Sequence, residues 1–179
     1  MSVQSALKRS VVLLSVVLAG ACATGQHDMS GKDVDEGAGS LTAARKFLEG
    51  RWTLESFEVF PPGKAPITVK GSGTLNYDDF GNMRIDIRAD EQTADLLRAA
   101  GIEIRDGAIS SDGRTVVNMQ NKTLTYVLAG QPVGVPTAVA GPLAPSRPRH
   151  WEVQGDLLTL STKDEAGKTL SVARWKRMP

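Results

Sequence analysis

The sequence predicts an all-β domain: an antiparallel up-and-down β-barrel with one short helix between strands and a short helical turn before the first. Three observations lead there. The stretch Asn82 to Ala89 alternates Met83, Ile85, Ile87 and Ala89 with Arg84, Asp86 and Arg88, the period of a strand with one face on a core and one in water. Short alternating runs recur with turn signals between them, at Asp106-Gly107, Asp112-Gly113, Gly155-Asp156 and Asp164 to Gly167, and Asp-Gly between such runs marks a hairpin. No crossover helices of the kind parallel strands need are visible, which leaves a sandwich or a barrel. Sequential hairpins favour the barrel, because closure leaves no exposed edge.

The domain runs from about Leu41 to Pro179, the size of one folding unit. LTAARKFLEG reads as an amphipathic helical turn that stops at Gly50, a residue suited to a helix C-cap. The first strand begins within EGRWTLESFEVF, at Arg51-Trp52. Gly73 to Tyr77 is expected to pair with Asn82 to Ala89 across the turn Asp78-Asp79-Phe80-Gly81. A helix then interrupts the strands: DEQTADLLRAAG, with Asp90 as N-cap, Leu96, Leu97 and Ala100 as its apolar stripe, and Gly101 as its stop. It is expected to lie over one opening of the sheet. Further strands are expected at Ile102 to Arg105, Ala108 to Ser110, Arg114 to Met119, Thr123 to Ala129, His150 to Gln154, Asp156 to Thr162 and Lys168 to Lys176. The loop from Gln131 to Pro148 is rich in proline and poor in charge. It can neither join a central strand nor continue a helix, and connections this long in compact domains are functional or disordered.

Ahead of the domain, Lys8 and Arg9 precede an apolar run from Val11 to Ala19 that ends in Gly20 and Ala21. Residues 1–21 thus read as an export signal, and the run falls short of the roughly 20 apolar residues that span a bilayer. The single cysteine, Cys22, follows Leu18-Ala19-Gly20-Ala21. This resembles the lipobox of bacterial lipoproteins, whose leader is cut before a cysteine that then carries diacylglycerol. The resemblance implies membrane attachment through a lipid anchor. Acyl chains contribute about 0.8 kcal/mol per buried methylene, and more than one chain is needed for stable anchoring. Ala23 stands where many inner-membrane lipoproteins carry a retention Asp, so the resemblance implies an outer-membrane lipoprotein facing the periplasm. Cleavage after Ala23 at an A-x-A site, giving a soluble periplasmic or secreted protein, is the other reading of the same residues. Residues 22–40 are rich in Gly, Ser and Asp and free of periodic apolar residues. They read as a tether reaching about 25 Å, with His27 a solvated residue in it.

Without residues 1–21 the chain has 19 basic and 20 acidic side chains. That balance excludes the one-signed basic surface of a nucleic-acid binder. The basic groups Arg147 with Arg149, and Arg174, Lys176 and Arg177, read as solvated strand or loop positions.

Gly50-Arg51-Trp52 at the head of the first strand resembles the G-x-W motif of the lipocalins. In that family the tryptophan plugs the closed end of the barrel, and an arginine near the end of the last strand crosses its ring. The resemblance assigns these barrel-base roles to Gly50, Trp52 and either Arg174 or Arg177. A closer likeness spans GRWTLESFEV, GSGTLNYDDFGNMRIDI and WEVQGDLLTLSTKDEAGKTLSVARWKR. It is similar to the bacterial lipocalin-like domain family of small exported barrels, with Gly73, Leu75, Tyr77, Gly81, Met83, Arg174, Trp175 and Arg177 on the family pattern. The second lipocalin motif, Thr-Asp-Tyr, is absent; Thr125-Tyr126 stands nearest to it.

Signals of catalysis are weak. With two histidines, one of them in the tether, neither a zinc cluster nor a nucleophile, base and orienter set assembles. His150 reads as a strand-end residue, and Asp78 and Asp79 as turn formers. No catalytic residue, metal or cofactor is expected. The function expected is non-catalytic binding of a small hydrophobic or amphipathic ligand inside the barrel. The candidate lining is Leu54, Leu75, Met83, Ile85, Ile87, Val117, Leu124, Tyr126, Leu128 and Trp151. The alternative is a solid barrel that binds an envelope protein partner, or inhibits one, through loop 131–148.

Overall fold

The computed structural model describes residues 41–130 and 141–179. The expected export signal, Cys22 and the tether lie outside the described residues, as do positions 131–140 of the proline-rich loop. A helix, α1 (Leu41–Leu48), leads into β1 (Gly50–Val59). There follow β2 (Ile67–Thr68), β3 (Gly71–Tyr77), β4 (Asn82–Ala89), α2 (Glu91–Ala99), β5 (Ala108–Asn118), β6 (Thr123–Leu128), β7 (Arg149–Gln154), β8 (Leu157–Lys163) and β9 (Thr169–Arg177). All ladders are antiparallel, and β1 pairs with β9, from Trp52↔Arg177 to Val59↔Ser171, so that β1 and β3–β9 close into a barrel. The two-residue β2 sits outside this ring on the far end of β1, at Glu58↔Thr68 and Val59↔Ile67.

Alternation explains what fills the barrel. Residues directly opposite across a ladder share a face, which strings Trp52, Leu75 and Ile85 together on the inside, and Leu54, Trp175 and Leu158 on the other side of β1. Trp52, Leu75, Leu158 and Trp175 are wholly buried. The outer face of β4 carries Arg84, Asp86 and Arg88, whose ion pairs at 3.4–3.5 Å are exposed and contribute little.

The helix α2 begins as the residues require. Asp90 accepts a hydrogen bond from the Thr93 N–H at 2.7 Å; hydrogen bonding to the Thr93 side chain first, and then to its N–H, holds the Asp90 carboxyl below the usual range, and Gly101 ends the turn at φ +76°. The stripe differs from the expected one: Thr93, Ala94 and Leu97 are buried, whereas Leu96 is half exposed. The cap accounts for this. The Asp90 N–H donates to Lys70 O and the Lys70 N–H meets Thr93 Oγ1, which turns the Thr93 side of the helix toward the barrel.

Two strand expectations are corrected. Asp112-Gly113 is not a turn, and the strands expected at 108–110 and 114–119 are one, the eleven-residue β5. Gly113 pairs with Met83 on one side and Leu128 on the other, and a Cβ there would sit 2.2 Å from Val127 O. This glycine serves close backbone approach rather than reversal. The segment Ile102 to Arg105 makes a single bridge, Arg105↔Ala108, instead of a strand. Its alternation still buries Ile102 and Ile104 in the core.

The wall has one thin place. The ladder between β6 and β7 consists of Thr123↔His150 and Leu124↔Arg149. Beyond it the proline-rich segment stands in for a strand, because the Tyr126 N–H donates to Pro145 O at 3.0 Å.

Candidate functional site

At one end the barrel is sealed. The Trp52 indole N–H donates to Leu48 O at 2.9 Å, tying α1 across the opening. The Arg177 guanidinium lies 4.0 Å from the Trp52 ring centroid and donates to Phe47 O at 2.8 Å and to Glu49 O. Gly50 has φ +122°, and a Cβ there would press on Arg177 Nη1 at 2.8 Å, so the glycine makes room for the arginine. Of the two arginines considered, Arg177 occupies this base. Arg174 does not: it faces solvent on the outer side of β9, with Ser56 Oγ at 3.5 Å. Strand parity is the reason, since Ala173, Trp175 and Arg177 share the inner face.

Toward the other end lies an interior cavity of about 60 Å³. Its walls are Phe57, Ile85, Ile87, Ile109, Leu160, Ala173 and Trp175, with Ser111, Tyr126, Thr162, Ser171 and Arg149 as polar members. Leu143 and Pro145 of the proline-rich segment close it. A water needs about 10–15 Å³ by this measure, so the cavity takes a few water-sized groups. Pockets for drug-sized ligands measure about 300–1,000 Å³. An extended acyl chain exceeds the space in this cavity.

Of the expected lining, Ile85, Ile87 and Tyr126 border this cavity. Leu75, Met83, Leu124 and Trp151 are buried in the packed core, with Leu54 and Val117 against it. Leu128 borders an outer groove beside Gly113, where Met83 also reaches. His150 is exposed on the outer face.

Arg149, expected in solvent, is instead half-buried. Its guanidinium lies 4.3 Å from the Tyr126 ring centroid. Its Nη1 donates to Pro145 O at 3.2 Å and Arg147 O at 3.0 Å, and its Nη2 to Leu143 O at 3.1 Å and Ala144 O at 3.3 Å. No carboxylate among the described residues pairs with it. Burial accordingly lowers its pKa from the ordinary arginine value. The signal was present in Arg149-His150-Trp151-Glu152-Val153: a strand that turns Trp151 inward turns Arg149 inward too. Starting that strand at His150 hid it.

Beneath the arginine, the hydroxyls of Tyr77 and Tyr126 share a hydrogen bond at 2.9 Å. Burial, first of all, raises both phenols above their ordinary value of 10.0, Tyr77 strongly. Thr162 and Ser171 share another at 2.7 Å, and Thr162 Oγ1 also donates to Pro142 O. Trp175, wholly buried on the cavity wall, has an indole N–H without an acceptor among the described residues. The described residues bring no three His, Cys, Asp or Glu side chains together in an arrangement that could hold a metal.

The architecture is that of an up-and-down, lipocalin-like barrel with a plugged base and a small, donor-rich interior. No protein-family model matches the chain, and no curated protein matches it.

Proposed function

We propose that this chain is a non-enzymatic binding module of the bacterial cell envelope, a member of the lipocalin-like domain family. In this reading Cys22 carries the lipid that holds it at the outer membrane, facing the periplasm, and the barrel interior receives a small amphipathic molecule. The observation that carries the reading is the two-sided chemistry of the cavity: apolar walls from Ile85, Ile87, Ile109 and Leu160, and a single cationic group, Arg149, at the side closed by the proline-rich segment. Apolar walls with a few placed polar groups are the usual make-up of a small-molecule site. The test is a panel of small amphipaths added to the purified full chain. Saturating ligand at a hundred times Kd stabilises a fold by about 2.7 kcal/mol, which raises the melting temperature by several degrees. An unmoved melting curve across the whole panel rejects the reading.

One observation favours a second reading, a solid barrel that docks an envelope protein through loop 131–148: the interior cavity measures only about 60 Å³. Because Pro145 completes the wall beside Tyr126, excision must be confined to residues 131–140. On this reading that excision abolishes crosslinking to the partner and leaves the melting curve in place.

A further inference from the structure

Every polar group on the interior cavity can donate a hydrogen bond, and none is acidic. The cavity holds one net positive charge, Arg149, whose four Nη–H bonds go to backbone carbonyls. Those oxygens bring dipoles but no net charge. Arg149 is half-buried, and a charge taken partly out of water with no counter-ion is left uncompensated. Trp175, a residue of the same lining, has a buried indole N–H with no acceptor among the described residues, and a buried donor left in this state calls for an explanation. A ligand supplying acceptor oxygens and one negative charge answers both features.

We propose that the cavity is a subsite for a monoanion, with a short-chain carboxylate as its ligand. The carboxylate lies beside the Arg149 guanidinium within reach of the Trp175 N–H, and the alkyl portion lies along Ile85, Ile87 and Leu160. The size of the cavity favours short chains. This inference rests on the binding-module reading above, and its test separates the two.

The test is calorimetric titration of the full chain with butyrate, hexanoate and octanoate, and with the alcohols of the same lengths. Charge-assisted hydrogen bonds are about twice as strong as neutral ones, so the best acid is expected to bind about tenfold more tightly than its alcohol, a difference of about 1.4 kcal/mol. Arg149→Met should bring the two within about twofold, and Arg149→Lys, which keeps the charge, should preserve a preference for the acid. Should Arg149→Met fail to fold, Trp175→Phe keeps an aromatic ring, loses the donor, and is expected to weaken the acid several-fold while sparing the alcohol. Equal affinities for acid and alcohol in the unaltered chain overturn the anion subsite and leave a binding module standing. Absence of binding by every acid and every alcohol overturns the module reading, and the subsite with it.

Discussion

The barrel carries the same device at its two ends, and the ends differ in what the device encloses. At the base Arg177 lies over Trp52 and binds the carbonyls of Phe47 and Glu49, which fastens α1 across the opening. At the rim Arg149 lies over Tyr126 and binds the carbonyls of Leu143, Ala144, Pro145 and Arg147, which fastens the proline-rich segment. Each guanidinium joins an aromatic face to the backbone of a segment that has no ladder of its own. Behind the first lies a wholly buried indole; behind the second lies a cavity of about 60 Å³. An arginine stacked on an aromatic ring therefore marks a closure and does not by itself distinguish a plug from a lid.

The largest expected effect is at the base. Trp52→Ala removes a fully buried ring and its hydrogen bond to Leu48, and should cost about 3–5 kcal/mol in urea unfolding. A loss below about 1 kcal/mol would mean that the base is not a plug. The hydrogen-bonded tyrosine pair beneath Arg149 answers to alkali instead. Tyr77 and Tyr126 hold their protons more tightly folded than unfolded. Their contribution is therefore complete below about pH 10, the unfolded value, and is lost as pH rises above it. The loss is up to about 1.4 kcal/mol per pH unit for each phenol. Tyr77→Phe should flatten that fall, as followed by denaturant midpoints between neutral and strongly alkaline buffer. Arg177→Met keeps the bulk of the side chain and removes the cation, and is expected to cost about 0.5–2 kcal/mol. Arg174→Ala, on the outer face of the same strand, should change stability by less than about 0.5 kcal/mol. Equal losses at both arginines would erase the distinction between the faces of β9.

How far these features could be read in advance follows the same division. The base was legible through the resemblance to the G-x-W motif, which implies a plug at Trp52, two after Gly50, and an arginine near the end of the last strand. The choice between Arg174 and Arg177 needed the register Trp52↔Arg177, which belongs to the closed ring. The half-buried β4 was legible from its alternation. At the rim the inward turn of Arg149 was legible from its parity with Trp151, but what it holds was not, because its partners are carbonyls, which every residue carries and which leave no mark in the sequence. Gly113 misled for a related reason. Asp-Gly signals a turn through local conformation, whereas this glycine answers to the backbone of Val127 on the neighbouring strand. Ile102 and Ile104 show the converse: alternation placed them in the core but had no partner strand to pair with.

The β1–β9 closure also determines how the cylinder meets mechanical load. The Met178 N–H donates to Arg51 O at 2.7 Å, so the two ends of the barrel chain leave it side by side at the Trp52 pole. Tension applied between them does not shear a whole ladder at once. It peels β9 from β1 rung by rung, starting at the pair Trp52↔Arg177, and the arginine stacked on that tryptophan is the first rivet to give.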